Sequence, residues 1–79
     1  LINSFPKIAI NNKLALEQSK KVGCYCCCKI FETCEVKAFT DNGRTGICPF
    51  CSADCLVGDS SIVLDEPLLK KAKQFWFGD

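Results

Sequence analysis

The sequence predicts a small α+β fold, a single domain over residues 1–79, with two cysteine knuckles and a short β-hairpin surrounded by about three helices. Three observations lead there. The cysteines include two C-x2-C pairs, Cys24/Cys27 and Cys48/Cys51. A turn signal, Asp41-Asn42-Gly43, precedes a short strand-like run. Residues 65–77 repeat apolar side chains at helical spacing. Size and composition frame this reading. A chain of 79 residues buries only about 60% of its unfolded surface, so an apolar core alone is marginal and a staple is expected. A hydrophobic content of 48% with six Phe and one Trp argues against a disordered chain. The formal charge of +1 shows no broad basic bias toward nucleic acid. No apolar run reaches the ~20 residues that span a bilayer. Leu1 to Ile10 has no basic segment leading an apolar stretch and does not read as a signal peptide.

Taken in order, the first predicted element is a helix from an Asn12 cap through Lys21, stopped by Gly23. Leu14, Ala15 and Leu16 give it an imperfect apolar face, opposite Lys13, Glu17, Lys20 and Lys21. Glu32 to Phe39 can form two further helical turns, capped by Thr33, with Val36 and Phe39 on one face. After the Asp41-Asn42-Gly43 turn, Arg44 to Ile47 reads as a strand, and Cys55 to Val57 as its return partner. The last helix has the strongest signals: Asp65 as N-cap, Pro67 in the first turn and Glu66 complementing the dipole. Leu68, Leu69, Ala72, Phe75 and Trp76 form its apolar face, and Lys70, Lys71 and Lys73 lie largely opposite. Phe75, Trp76 and Phe77 are expected to cover the small core, or else to form a partner-binding surface.

The eight cysteines decide the chemistry. Twenty residues separate Cys27 from Cys48, so Cys24, Cys27, Cys48 and Cys51 fit the C-x2-C…C-x2-C template of a zinc site. Two intervening residues make a tight knuckle that turns both sulfurs toward one point, and two knuckles complete a tetrahedron. A disulfide inside either knuckle would close a tiny loop and add little stability. A framework of four disulfides competes, since eight is even, but three adjacent thiols, Cys26 to Cys28, point in divergent directions. Cys48-Pro49-Phe50-Cys51 also resembles the dithiol of glutaredoxins, which needs a long helix starting at the first cysteine. Residues 52–59 read instead as turn and strand. Cys26, Cys28, Cys34 and Cys55 are surplus to the tetrad, as buried or half-exposed residues or as a second four-thiol site. Pairing Cys26 instead of Cys27 is the main alternative register. Phe31, four residues past Cys27, favours Cys24 and Cys27, because it can pack beneath that knuckle.

Four stretches carry a resemblance: N-K-L-A-L-E-Q-S-K-K-V-G-C-Y-C-C, K-I-F-E-T-C-E-V-K-A-F, D-N-G-R-T-G-I-C-P-F-C-S-A-D-C-L-V-G-D and L-L-K-K-A-K-Q-F-W-F. In that order they resemble a family of small bacterial cytoplasmic proteins of unknown function with paired C-x2-C zinc knuckles. The resemblance places Cys24, Cys27, Cys48 and Cys51 at the family's knuckle cysteines. Cys26 stands where the family has an aromatic, Cys28 where it has an apolar residue and Cys55 where it has Ser. Ser52 replaces a Gly after the second knuckle, which implies a strained turn there.

An all-thiolate zinc site is closed, with no position left for water or substrate, so it serves folding rather than catalysis. The chain has no His, and its carboxylates form no catalytic motif, so no enzymatic activity is expected. The leading expectation is a Zn2+-stabilised cytoplasmic interaction module that binds another protein through Phe75 and Trp76, with no membrane attachment. The first alternative is a zinc-ribbon-like nucleic-acid binder using Lys20, Lys21, Lys29 and Arg44 on phosphates. The second is a thiol redox or metal-handling protein using the surplus cysteines.

Overall fold

A computed structural model describes residues 2–78 of the chain. It is a small α+β fold of three α-helices and antiparallel strands, with four cysteines clustered at one place. The helices are α1 (Phe5–Ala9), α2 (Lys13–Glu17) and α3 (Glu66–Phe77). The strands are β1 (Lys21–Cys24), β2 (Ile30–Glu32), β3 (Ala38–Thr40), β4 (Thr45–Ile47) and β5 (Leu56–Gly58). They form one sheet of order β2-β1-β5 and a separate β3–β4 hairpin.

Helix α1 lies where the sequence analysis placed no element. Five residues are too few for a periodic signal, and only Phe5 and Ala9, four apart, turn inward. Phe5 is fully buried and meets the Tyr25 ring edge-on at 5.4 Å between centroids. Helix α2 is shorter than the predicted span to Lys21. Past Glu17 the Ser19 hydroxyl turns back to the Ala15 carbonyl, and the backbone N–H groups of Lys20 and Lys21 donate to the Asp59 carboxylate. The chain therefore leaves the helix and enters β1. Gly23 is a strand residue rather than a helix stop. A Cβ there would lie 2.9 Å from Leu69 and 3.1 Å from Leu64, so its missing side chain lets α3 and the segment before it close on the sheet.

The predicted helix over 32–39 is replaced by β2, a single 3-10 turn (Thr33–Glu35) and β3. The Thr33 N–H continues the strand ladder to Lys20, and its hydroxyl donates to the Ser19 carbonyl. The cap of the short turn is Glu32, which exchanges side-chain and backbone hydrogen bonds with Glu35 in a capping box. The helix does not continue because Ala38–Thr40 pair instead with Thr45–Ile47, which takes the residues of the second expected turn into a strand.

Strand β4 matches the expected run, but its partner differs. It pairs with β3, Thr40 opposite Thr45, around a turn in which Asp41 and Asn42 have φ of 54° and 60°. Asp and Asn tolerate this left-handed region, and two such residues suit a tight hairpin turn. The 55–57 segment contributes instead to β5, which pairs with β1, Gly23 opposite Val57. Asn12 joins the two sheets. Its side chain makes no helix-capping bond; its Nδ2 donates to the Leu56 carbonyl and its Oδ1 accepts from the Gly46 N–H, both at 2.9 Å.

Helix α3 begins as expected, with the Asp65 carboxylate accepting from the Leu68 N–H at 2.8 Å. Gly78, at φ 77°, ends it in the left-handed conformation. Leu69 and Ala72 are buried and join Phe5, Leu16, Val22, Leu56 and Val57 in the core. Phe75, Trp76 and Phe77 cover the core only in part: they remain 52%, 42% and 49% exposed, while the Phe77 ring packs 6.0 Å from that of buried Tyr25. The fully buried stripe of α3 ends at Ala72, and the end of the helix lies against residues 2–4. There the Trp76 indole N–H donates to the Ile2 carbonyl at 2.9 Å.

Candidate metal centre

The first knuckle is the loop of the β1–β2 hairpin, and the second leads from β4 toward β5. Both are built the same way. In the first, the Cys28 N–H donates to the Cys24 carbonyl and the Cys24 N–H to the Lys29 carbonyl, at 2.7 and 3.0 Å. In the second, the Ser52 N–H donates to the Cys48 carbonyl and the Cys48 N–H to the Ala53 carbonyl, at 3.0 and 2.9 Å. The residue after each second cysteine is left-handed, Cys28 at φ 62° and Ser52 at φ 65°. Position for position, the two four-residue loops are equivalent. The turn strain expected at Ser52 therefore has a counterpart at Cys28.

This arrangement aims four sulfurs at one point. The Sγ atoms of Cys24, Cys27, Cys48 and Cys51 all lie within 4.8 Å of one another. Cys24 and Cys51 are 3.6 Å apart and Cys27 and Cys48 are 3.7 Å apart, across the two knuckles. A tetrahedron with metal–sulfur bonds of about 2.3 Å has edges of about 3.8 Å. A disulfide would need about 2.05 Å. The donor set thus has the spacing of a metal site and not that of a staple.

Backbone donors support the sulfurs in the same pattern. The Phe50 N–H donates to the Cys48 sulfur at 3.4 Å. The backbone amides of Cys26 and Cys27 near Cys24, of Lys29 near Cys27 and of Cys51 near Cys48 favour the thiolate forms there. Such donors stabilise thiolate charge without closing the site. Burial drives the thiols of Cys24 and Cys27 upward, since without a cation the charged forms are poorly solvated there. At Cys48 burial also pushes upward, but the two N–H donors and the neighbouring thiols outweigh it and the net shift is downward.

Burial within the tetrad is uneven. Cys24 and Cys48, the first cysteine of each knuckle, are buried, Cys27 is half-buried and Cys51 is exposed. Phe31 is buried, and its ring packs against Phe50 of the second knuckle at 5.3 Å. The Lys29 ammonium sits 4.5 Å from the centre of the Phe50 ring. Lys21, another of the bases considered for phosphate contact, is instead paired with Glu32 across β1 and β2 at 2.9 Å.

The surplus cysteines stand outside the cluster. Cys26 and Cys28 are half-buried, Cys34 is exposed and Cys55 is buried. Among the described residues, the tetrad is the one group of three or more Cys, His, Asp or Glu side chains placed to share an ion. Sequence reasoning missed Cys28 and Asn12 as builders of this region. The signal for Cys28 was its position, the same distance behind Cys27 as Ser52 is behind Cys51.

No protein-family model matches this chain, and no curated protein or solved structure matches it either. Among the described residues no helix is long and apolar enough to cross a membrane.

Proposed function

We propose that the protein is a small zinc-stabilised interaction module, without enzymatic activity, whose four-cysteine site is structural. The observation that carries this reading is the convergence of four sulfurs from two equivalent knuckles at tetrahedral spacing. Zn2+ suits it because the donors are all thiolates, the geometry imposes four-coordination and no His or carboxylate joins the set. When bound, the ion cross-links the β1–β2 loop to the β4–β5 connection. Four protein ligands leave no open position for substrate, which supports a folding role over Lewis-acid chemistry.

Thiolate sites of this kind persist where thiols stay reduced, which supports a cytoplasmic setting. The partner surface in this reading is the end of α3. Phe75, Trp76 and Phe77 present three half-exposed aromatic rings in sequence, with Phe75 and Trp76 in edge contact at 5.0 Å. Aromatic side chains are enriched at the anchoring points of protein interfaces.

Native mass spectrometry beside a metal assay tests the site. One zinc per chain, lost on denaturation and leaving eight free thiols, is the expected result. Two zincs would bring in the surplus cysteines, and a metal-free chain lighter by eight hydrogens would replace the module with a disulfide scaffold. For the surface, Phe75→Ala is the informative variant, since that ring is half exposed. It should keep the thermal midpoint and lose a partner that the unaltered chain retains.

A further inference from the structure

The four thiolates are not equally open. Cys24 and Cys48 lie at the bottom of the site, 0% and 1% exposed, while Cys51 faces solvent. Peroxide arrives from solvent, so the exposed sulfur of a closed four-thiolate site is the one it reaches first. The Cys24 sulfur lies 3.6 Å from that of Cys51. An exposed thiolate with a second thiolate as a direct neighbour, within the reach of a small side-chain movement, is the arrangement of an oxidation-sensitive pair.

We propose that Cys51 is the thiolate at which hydrogen peroxide oxidises this centre, with Cys24 as the resolving thiol, so that oxidation releases the ion. The inference rests on the zinc reading above. In the first step the Cys51 thiolate attacks one peroxide oxygen: an S–O bond forms, the O–O bond breaks and hydroxide leaves, giving the sulfenic acid. In the second, the Cys24 thiolate attacks the Cys51 sulfur: the S–S bond forms, the S–O bond breaks and a second hydroxide leaves. Two thiolates are oxidised by two electrons, and one hydrogen peroxide is reduced to two hydroxide ions. Cys27 and Cys48 are then the only donors left, half of what a tetrahedral site needs, and the ion is lost. The disulfide joins the two knuckles, so a covalent cross-link takes the place of the metal one.

The test uses the zinc-loaded full chain, titrated with hydrogen peroxide beside a zinc-sensitive dye. Sulfenate is trapped with dimedone under limiting peroxide, and disulfides are mapped without reductant. Among the four tetrad cysteines, the dimedone adduct should form at Cys51 at least about tenfold faster than at any other. One zinc should appear per two thiols lost, with a Cys24–Cys51 cross-linked peptide. A Cys34→Ser variant removes the exposed thiol outside the site and should release zinc at an unchanged rate. First attack at Cys24, Cys27 or Cys48, a disulfide from Cys51 to Cys26, Cys48 or Cys55, or slower release in Cys34→Ser would each overturn the assignment. A chain that carries no zinc before peroxide is added defeats the metal reading. A chain that carries zinc and keeps it under peroxide defeats this inference alone.

Discussion

Asn12 shows how much one polar side chain can carry in so small a core. It is 3% exposed and satisfies two backbone groups, one in each sheet. Asn12→Ala would leave the Leu56 carbonyl and the Gly46 N–H buried without partners. A loss of about 2–3 kcal/mol is expected from those two groups, read as a lower denaturant midpoint with metal still bound. Asn12→Asp keeps an acceptor for Gly46 but buries a carboxylate against the Leu56 carbonyl, and at neutral pH should cost at least as much. Cys55 makes a prediction about pH. Burial pushes its thiol up from 9.0 to about 11, against a smaller downward effect of the Tyr25 hydroxyl. The unfolded thiol therefore ionises first as pH rises. Stability contributed by this residue is complete below pH 9 and is lost on the way to pH 11. The metal-loaded protein should show a falling thermal midpoint across that window, and Cys55→Ala should flatten the fall. An equal slope in the two proteins would show that Cys55 carries none of it.

At the scale of elements, the knuckle is the unit that matters. Each one closes by placing a non-glycine residue in the left-handed region, Cys28 in the first and Ser52 in the second. Glycine adopts that conformation without the clash of a Cβ. Ser52→Gly should therefore stabilise the folded protein by about 1 kcal/mol, and Cys28→Gly by a similar amount. Both should retain one zinc, as measured by elemental analysis beside thermal melts. Loss of zinc in Cys28→Gly would show that the Cys28 thiol, and not only its backbone, serves the site. The elements around the knuckles are short: α1 and α2 have five residues each, and four of the five strands have three. None of these could persist alone in water. Each is held by its neighbours, as when Thr33 extends the β1–β2 ladder instead of starting a helix.

At the scale of the whole molecule, the cysteine site joins two parts of the chain that lie far apart in sequence. Its ligands come from the β1–β2 loop and from the segment after β4, more than twenty residues on. The zinc proposed for this site would contribute on the order of 10 kcal/mol, comparable to the entire stability of a small domain. Stripping the ion with a strong chelator under reducing conditions should abolish the cooperative thermal transition and collapse amide chemical-shift dispersion. Added zinc should restore both. If the stripped chain keeps a cooperative transition within a few degrees of the loaded one, the site is not what holds the fold together.

The knuckle spacing and the start of α3 were legible in the sequence alone. Both are local. A C-x2-C pair needs only its own four residues to turn its sulfurs together, and an Asp65 cap needs only the next turn of backbone. The β4 strand and the Asp41-Asn42 turn belong to the same class. What the sequence could not decide was pairing. Residues 32–39 carry helical spacing, yet Ala38–Thr40 pair with β4; residues 55–57 pair with β1 rather than β4; and Asn12 leaves its cap to join two sheets. The partial exposure of Phe75, Trp76 and Phe77 likewise depends on what the end of α3 meets, Ile2 at Trp76 and Tyr25 at Phe77. Each of these outcomes depends on partners tens of residues away. Local spacing carries no record of that competition, which is settled only when the chain packs.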